Sequence, residues 1–112
     1  MIKIKRAYLE PEAGDGTRIL VDRLWPRGLT KEKARIDLWL NNVAPSTELR
    51  KWFGHDIERW EEFKNRYLAE LNENKESMAI LKEQLNKGNV TLIFGARDEL
   101  HNEAIILKEL LS

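Results

Sequence analysis

The sequence predicts an α/β domain in which a small, mostly parallel sheet is flanked by helices in three compact layers. Three observations predict it. Two short runs, Ile19-Leu20-Val21 and Val90-Thr91-Leu92-Ile93-Phe94, have the near-continuous hydrophobicity of strands buried on both faces. The segment between them is long enough for a parallel crossover and carries amphipathic helices. The resulting order of strand, helices, strand and helix belongs to layered α/β folds.

The elements follow in order. Ile2 and Ile4, then Ala7 or Tyr8, alternate with Lys3, Lys5 and Arg6 as a short opening strand. Leu9 to Gly16 contains Pro11, Gly14, Asp15 and Gly16, which is turn chemistry. A hairpin is the simpler reading of so short a link, although a stretched return loop at about 3.3 Å per residue also permits parallel pairing. Arg18 to Leu24 is the first buried strand. Trp25-Pro26-Arg27-Gly28 stops it, because proline cannot donate to a ladder and glycine relaxes the backbone. Leu29 and Thr30 then read as staple and N-cap of one helical turn, Lys31 to Ala34.

Ile36, Leu38 and Leu40 alternate with Asp37, Trp39 and Asn41, a period of two that fits an extended segment, with a helix as the alternative. Ser46 caps a short helix over Thr47–Phe53 and Gly54 ends it. Asp56 caps the longest helix, about Ile57 to Asn72, whose Trp60, Phe63, Tyr67 and Leu71 form one packing stripe. His55-Asp56 reads as a capping turn, and Glu62 with Arg66 as a solvated helical pair. Lys75 to Lys87 is a second amphipathic helix, with Met78, Leu81 and Leu85 inward and Gly88 as its stop. Val90 to Phe94 is the second buried strand. Asp98 is the expected cap of the last helix, with Leu100, Ala104, Leu107 and Leu111 inward.

Composition narrows the function. The 112 residues fit one domain spanning positions 1–112, and a 34% charged, 42% hydrophobic make-up is that of a soluble globular chain. Nineteen basic and nineteen acidic side chains give zero net charge, so nucleic acid is not a favoured partner unless a local basic cluster recruits it. The absence of cysteine removes disulfides, thiol nucleophiles, thiolate metal sites and iron–sulfur clusters. Only His55 and His101 are available, too few for a multi-histidine metal site. Met1 to Tyr8 lacks the apolar core of a signal peptide, and no run approaches the roughly 20 apolar residues of a membrane span. Cytoplasmic residence without a membrane partner is the expectation. A phosphate-binding GxxxxGK loop and a dinucleotide-binding GxGxxG turn are both missing. Of Ser46, Ser77 and Ser112, only Ser46 falls in a loop, where Pro45 and Glu48 favour a cap over a nucleophile.

Ligands of open α/β sheets bind beyond the carboxyl ends of the strands. Both buried strands run there into polar segments: Asp22-Arg23-Leu24-Trp25-Pro26-Arg27-Gly28, and Gly95-Ala96-Arg97-Asp98 followed by His101 and Asn102 on the first turn of the last helix. Parallel strands would place both segments on one edge. Arg23, Arg27 and Arg97 would then converge beside a helix N-terminus, as ligands for a phosphate or carboxylate. Trp25 would offer a ring platform. Asp22 and His101 would be the acid–base pair of any reaction, and Asn102 would orient a substrate or water.

Each piece also has a structural reading. Asp22-Arg23 reads as a buried ion pair or a loop-capping carboxylate, Trp25-Pro26 as a core plug, Arg97-Asp98 as a salt-bridged helix start, and His101 as a first-turn surface histidine. Two uses of the cluster follow: a small anionic ligand, with or without catalysis, or a non-enzymatic module for nucleic acid or an acidic protein segment. A partner face on the long helices is a third reading, and a homodimer is compatible with so short a chain.

The run Leu20-Val21-Asp22-Arg23-Leu24-Trp25-Pro26-Arg27-Gly28 resembles the signature of the YeaO-like family, a family of unknown function. The resemblance continues through Ala44 to Lys51, the aromatic helix from Phe63 to Leu71, and Thr91 to Asp98 with His101-Asn102. It implies a compact three-layer α/β domain and brings no substrate, cofactor or catalytic residue. Longer members of the wider group, by the same resemblance, carry a cysteine near the end of the last strand. This chain has none, so it implies no thiol chemistry here.

Overall fold

The computed structural model describes all 112 residues, Met1 to Ser112. Four strands, β1 (Ile2–Arg6), β2 (Thr17–Leu20), β3 (Leu38–Trp39) and β4 (Val90–Phe94), form one sheet in the order β1-β4-β2-β3. Every pairing is parallel. Five helices complete the fold: α1 (Lys31–Ala34), α2 (Thr47–Phe53), α3 (Trp60–Glu73), α4 (Lys75–Lys87) and α5 (Glu103–Leu111).

The parallel sheet corrects the hairpin. β1 and β2 are not neighbours; β4 lies between them, with Val90 in register with both Ile2 and Thr17. β4 is buried at all five positions, so the most apolar strand takes a position covered from both edges as well as both faces. The short return loop is held by Asp15, which is 1% exposed. Its carboxylate accepts from Lys5 Nζ (2.9 Å), Arg18 Nη1 (2.6 Å) and the Glu12 backbone N–H (3.0 Å), while its carbonyl accepts from Thr91 Oγ1 (2.6 Å). A buried anion with two cationic partners thus ties the loop to β1, β2 and β4 at once.

β2 ends earlier than the expected strand from Arg18 to Leu24. Its last ladder bond, from Val21 N to Ile93 O (3.0 Å), lies just beyond Leu20, after which Asp22 to Leu24 leave the sheet. The alternation at 36–41 yields only the two-residue β3, because Asn41–Val43 then close a 3-10 turn. The longest helix also begins late. Asp56 caps a separate 3-10 turn, Ile57–Arg59, and α3 follows from Trp60. Thr30 and Ser46 cap α1 and α2, and Gly54 ends α2 in the left-handed conformation.

The cap of α5 is Asn102, not Asp98: Asn102 Oδ1 accepts from Ile105 N at 3.1 Å. Asp98 Oδ1 instead accepts from Leu100 N and His101 N, closing an independent turn ahead of the helix. Leu100 therefore precedes the helix and is exposed, whereas Ala104 and Leu107 do face the core.

The main core joins Ile19, Val21, Leu92 and Phe94 of the β2 and β4 chains to Phe53, Phe63, Tyr67, Leu81 and Leu107 of the helices. Tyr67 is fully buried, and its hydroxyl donates to Val43 O at 2.6 Å. The opposite face is a thinner layer, where Trp25, Leu29 and Ile36 cover Ala7, Leu20 and Ile93. No helix is long and apolar enough to cross a membrane.

Candidate functional site

The departure of Asp22 from the sheet builds the site. Its Oδ2 accepts the Gly95 backbone N–H at 2.8 Å, so the carboxyl ends of β2 and β4 are tied by one charge-assisted hydrogen bond. Gly95 permits the approach, since a Cβ there would lie 3.0 Å from the same oxygen. Arg23 then turns toward the loop before α2, donating from Nε to Pro45 O (3.2 Å) and from Nη2 to Ala44 O (3.1 Å). Trp39 Nε1 donates to the Asp22 carbonyl at 2.8 Å and meets Trp25 edge to face at 5.6 Å.

Between the Asp22 loop, α2, α3 and the start of α5 lies a cavity of about 210 Å³. Asp22, Arg23, Arg50, His55, His101 and Glu103 supply its charged and titratable lining, with Asn102 beside them. Leu24, Ala44, Phe53, Phe63 and Ala96 supply apolar wall. Phe53 and Phe63 stack with centroids 4.3 Å apart, which fixes the α2–α3 side of the wall. The position is the one at which open α/β sheets bind ligands.

The cavity holds two carboxyl groups, those of Asp22 and Glu103. Glu103, the first residue of α5, shares a hydrogen bond with Asp22. Withdrawal from water, followed by that hydrogen bond and the repulsion of Asp22, pushes the Glu103 carboxyl well above the usual carboxylate range. The backbone N–H at its own helix start and the charge of Arg50 oppose the rise without cancelling it. Arg50 is exposed on α2 and borders the same cavity.

The expected site residues divide. Asp22, Arg23, His101 and Asn102 border the cavity. His101 Nδ1 pairs with Asp98 Oδ2 at 2.9 Å, and its ring stands edge-on to Trp60 at 5.2 Å. The Leu100 backbone N–H, then the His101 ring, hold Asp98 below the usual carboxylate range against the opposing effect of burial. Asn102 is 3% exposed and occupied by its cap bond and by donation to Asp98 O at 3.0 Å. Trp25, Arg27 and Arg97 lie outside the cavity. Trp25 is a buttress, donating from Nε1 to Leu29 O at 2.6 Å, while Arg27 and Arg97 are exposed on the surface.

Sequence reasoning missed Glu103, Arg50 and His55. Glu103 reads as an ordinary acidic first-turn residue, and only its meeting with Asp22, 81 positions earlier in the chain by the sequence numbering, gives it a special environment. Arg50 reads as a solvated helix residue. His55 adopts a left-handed backbone, φ 59°, directly after Gly54, and this carries it to the cavity rim. Ser46 is confirmed as a cap. It accepts from Leu49 N at 3.2 Å while its hydroxyl donates to Glu70 at 2.6 Å.

An uncharacterized protein of Mycobacterium tuberculosis is 37% identical over 111 residues, covering 99% of this chain and 93% of its own length. The uncharacterized protein YeaO of Escherichia coli is 40% identical over 110 residues, covering 98% of this chain and 96% of its own length. No solved structure matches. The family model described as the inactive DUF488-N3 subclade matches residues 1–112. The chain belongs to that family.

Proposed function

We propose that the protein binds a small organic ligand carrying a carboxyl or phosphoryl group in the cavity at the carboxyl edge of the sheet, as a binding protein without covalent chemistry. The observation that carries this reading is the meeting of Arg23 and Arg50 with Asp22 and Glu103 in one concave site of about 210 Å³. Arginine presents a planar fork to an anionic group, and the apolar wall supplies the remaining contact area. The family's description as inactive, and a chain without cysteine, support binding over catalysis.

The test is a thermal-shift panel of carboxylates, phosphates, nucleotides and oligonucleotides against wild type, Arg50→Ala and Arg27→Ala. Ligand at about 100 times its dissociation constant stabilises by about 2.7 kcal/mol, several degrees in a domain of this size. The shift should vanish in Arg50→Ala and survive in Arg27→Ala, whose side chain lies outside the cavity. A specific observation keeps a second reading alive: Arg27 and Arg97 are exposed, as are Leu24 at 60% and Trp39 at 41%. Salt-sensitive stabilisation by oligonucleotides alone, lost in Arg27→Ala, would transfer the function to those exposed residues.

A further inference from the structure

One side chain of the cavity has its hydrogen-bond role set from behind. Asp98 Oδ1 accepts from the backbone N–H groups of Leu100 (2.9 Å) and His101 (3.1 Å), and Oδ2 meets His101 Nδ1 at 2.9 Å. The Leu100 N–H above all keeps Asp98 ionised, below the usual carboxylate range. A carboxylate can only accept, so Nδ1 carries the proton and Nε2 of the neutral ring carries a lone pair. Trp60 crosses the imidazole at 87° with centroids 5.2 Å apart, which limits its rotation away from Asp98.

His101 borders the cavity, whereas Asp98 and Trp60 do not. The Nδ1 edge of the ring is therefore turned from the site, and Nε2 is the nitrogen left to it. Nε2 has no partner within the chain, and it is open to the cavity because every fully buried side-chain nitrogen has one. The neighbouring polar groups are committed elsewhere. Asn102 Oδ1 accepts from Ile105 N and its Nδ2 donates to Asp98 O. Arg23 gives Nε and Nη2 to the Pro45 and Ala44 carbonyls. Arg50 thus remains as the donor for an anion, and His101 as an uncharged acceptor for a donor on the ligand. A cationic donor would be drawn to the carboxyls of Asp22 and Glu103 instead, so the group that suits Nε2 is a hydroxyl.

Resting on the anion-binding function proposed above, we infer that His101 sets the ligand class. Its Nε2 accepts a hydrogen bond from a ligand hydroxyl while Arg50 meets the anionic group, so the ligand is a hydroxylated carboxylate or phosphate ester compact enough for about 210 Å³. Asp98 is a positioning residue, which fixes the tautomer without touching the ligand. No covalent bond is made or broken.

The experiment is isothermal titration calorimetry on the full chain at about pH 8, above the ordinary histidine value of about 6.5. L-lactate is compared with propionate and L-alanine, D-gluconate with hexanoate, and glycerol 3-phosphate with propyl phosphate; inorganic phosphate is the anion without a hydroxyl-bearing chain. At least one hydroxylated probe should bind about tenfold or more tightly than its deoxy partner, and which one leads separates carboxylate from phosphate ester. Asp98→Asn keeps an oxygen for the Leu100 and His101 N–H groups but turns an amide donor toward Nδ1, which moves the ring proton to Nε2. It should weaken the hydroxylated probe about tenfold and leave its deoxy partner within about twofold. Heteronuclear NMR of the imidazole nitrogens reads the tautomer: Nε2 should be unprotonated in wild type, shift when the hydroxylated probe is added, and be protonated in the variant. Should Asp98→Asn fail to fold, His101→Gln, whose amide reaches close to the Nε2 position, should hold the probe more tightly than His101→Phe. A protonated Nε2 in wild type, equal affinity for hydroxylated and deoxy probes, or L-alanine binding more tightly than L-lactate would overturn the role of His101 and leave the anion-binding function standing. Failure of every probe would overturn both.

Discussion

Gly95 N–H and Asp22 Oδ2, 2.8 Å apart, join the carboxyl ends of two strands that lie side by side in the sheet but far apart in sequence. The contact holds the first carboxyl of the cavity in place. A methyl group at position 95 would stand 3.0 Å from that oxygen, so the carboxylate must move by a few tenths of an ångström. Gly95→Ala should therefore cost only about 1 kcal/mol of stability while displacing the Asp22 carboxylate in the cavity. The check is a chemical denaturation series beside ligand affinity, in which affinity falls by more than the change in stability accounts for.

Glu103 predicts a pH-dependent stability of unusual sign. Its folded carboxyl is raised well above the unfolded value of 4.5 by withdrawal from water and by Asp22. The folded state thus holds more protons than the unfolded state above pH 4.5, and stability declines as pH rises from there toward the folded value. Glu103→Gln removes this dependence and keeps a donor facing Asp22. Its Tm should exceed that of wild type at pH 7, and the difference should close below about pH 4.5. A Tm below wild type at every pH would show that the Asp22–Glu103 pair carries no such strain. A stabilising substitution inside a binding site would also fit the usual exchange of stability for function.

The fold was legible where periodicity and caps speak locally. The boundaries of α2 and α4 follow from Ser46, Gly54, the stripe of Met78 and Leu81, and Gly88. The pairing of β1 was not legible, because a local turn signal at Pro11 to Gly16 cannot report a strand inserted later in the chain. Insertion of β4 between β1 and β2 is a non-local outcome, secured by the Asp15 cluster and by complete burial of β4. Of the residues expected at the carboxyl edge of the sheet, Asp22, Arg23, His101 and Asn102 border the cavity. The others do not. Trp25 and Arg27 follow Asp22 and Arg23 in sequence and Arg97 follows Ala96, but Trp25 packs on the thinner face of the core while Arg27 and Arg97 are exposed. Glu103 and Arg50 gain their role only from distant partners, which no local pattern encodes.

The buried ion cluster predicts a second pH dependence, opposite in sign to that of Glu103. Burial alone would raise Asp15, but hydrogen bonds from Lys5, the Glu12 backbone and Arg18 overcome it and lower its pKa from 3.8 to about 2. The stabilisation is present above pH 3.8 and is lost as pH falls toward 2, amounting to about 2 kcal/mol at neutral pH. Asp15→Asn should cost more, about 3–5 kcal/mol at pH 7, because Lys5 and Arg18 lose their shared anion. Urea denaturation at pH 7 and at pH 2.5 should show the gap between variant and wild type shrinking with acid. An unchanged gap would mean that packing, not charge, holds the loop.

Gly16 tests whether the return loop directs the strand order. It sits at φ 65°, immediately before β2, and a Cβ there would overlap the Asn89 backbone carbonyl. That same carbonyl accepts from Thr17 N at 2.9 Å, where β2 begins to pair with the chain entering β4. Relieving the overlap requires the Thr17 bond to lengthen or Gly16 to leave its left-handed conformation, and either change pulls β2 from β4 at the first rung. Gly16→Ala should therefore cost about 2–4 kcal/mol, well above the roughly 1 kcal/mol of an ordinary left-handed glycine replacement. Gly28→Ala supplies the comparison, being left-handed at φ 77° with no heavy atom within 4 Å of its added Cβ. If backbone conformation alone set the penalty, the two variants would lose equal stability in denaturant. A loss at least about 1 kcal/mol larger at Gly16 would assign the difference to the contact with Asn89, and so to the insertion of β4 between the first two strands.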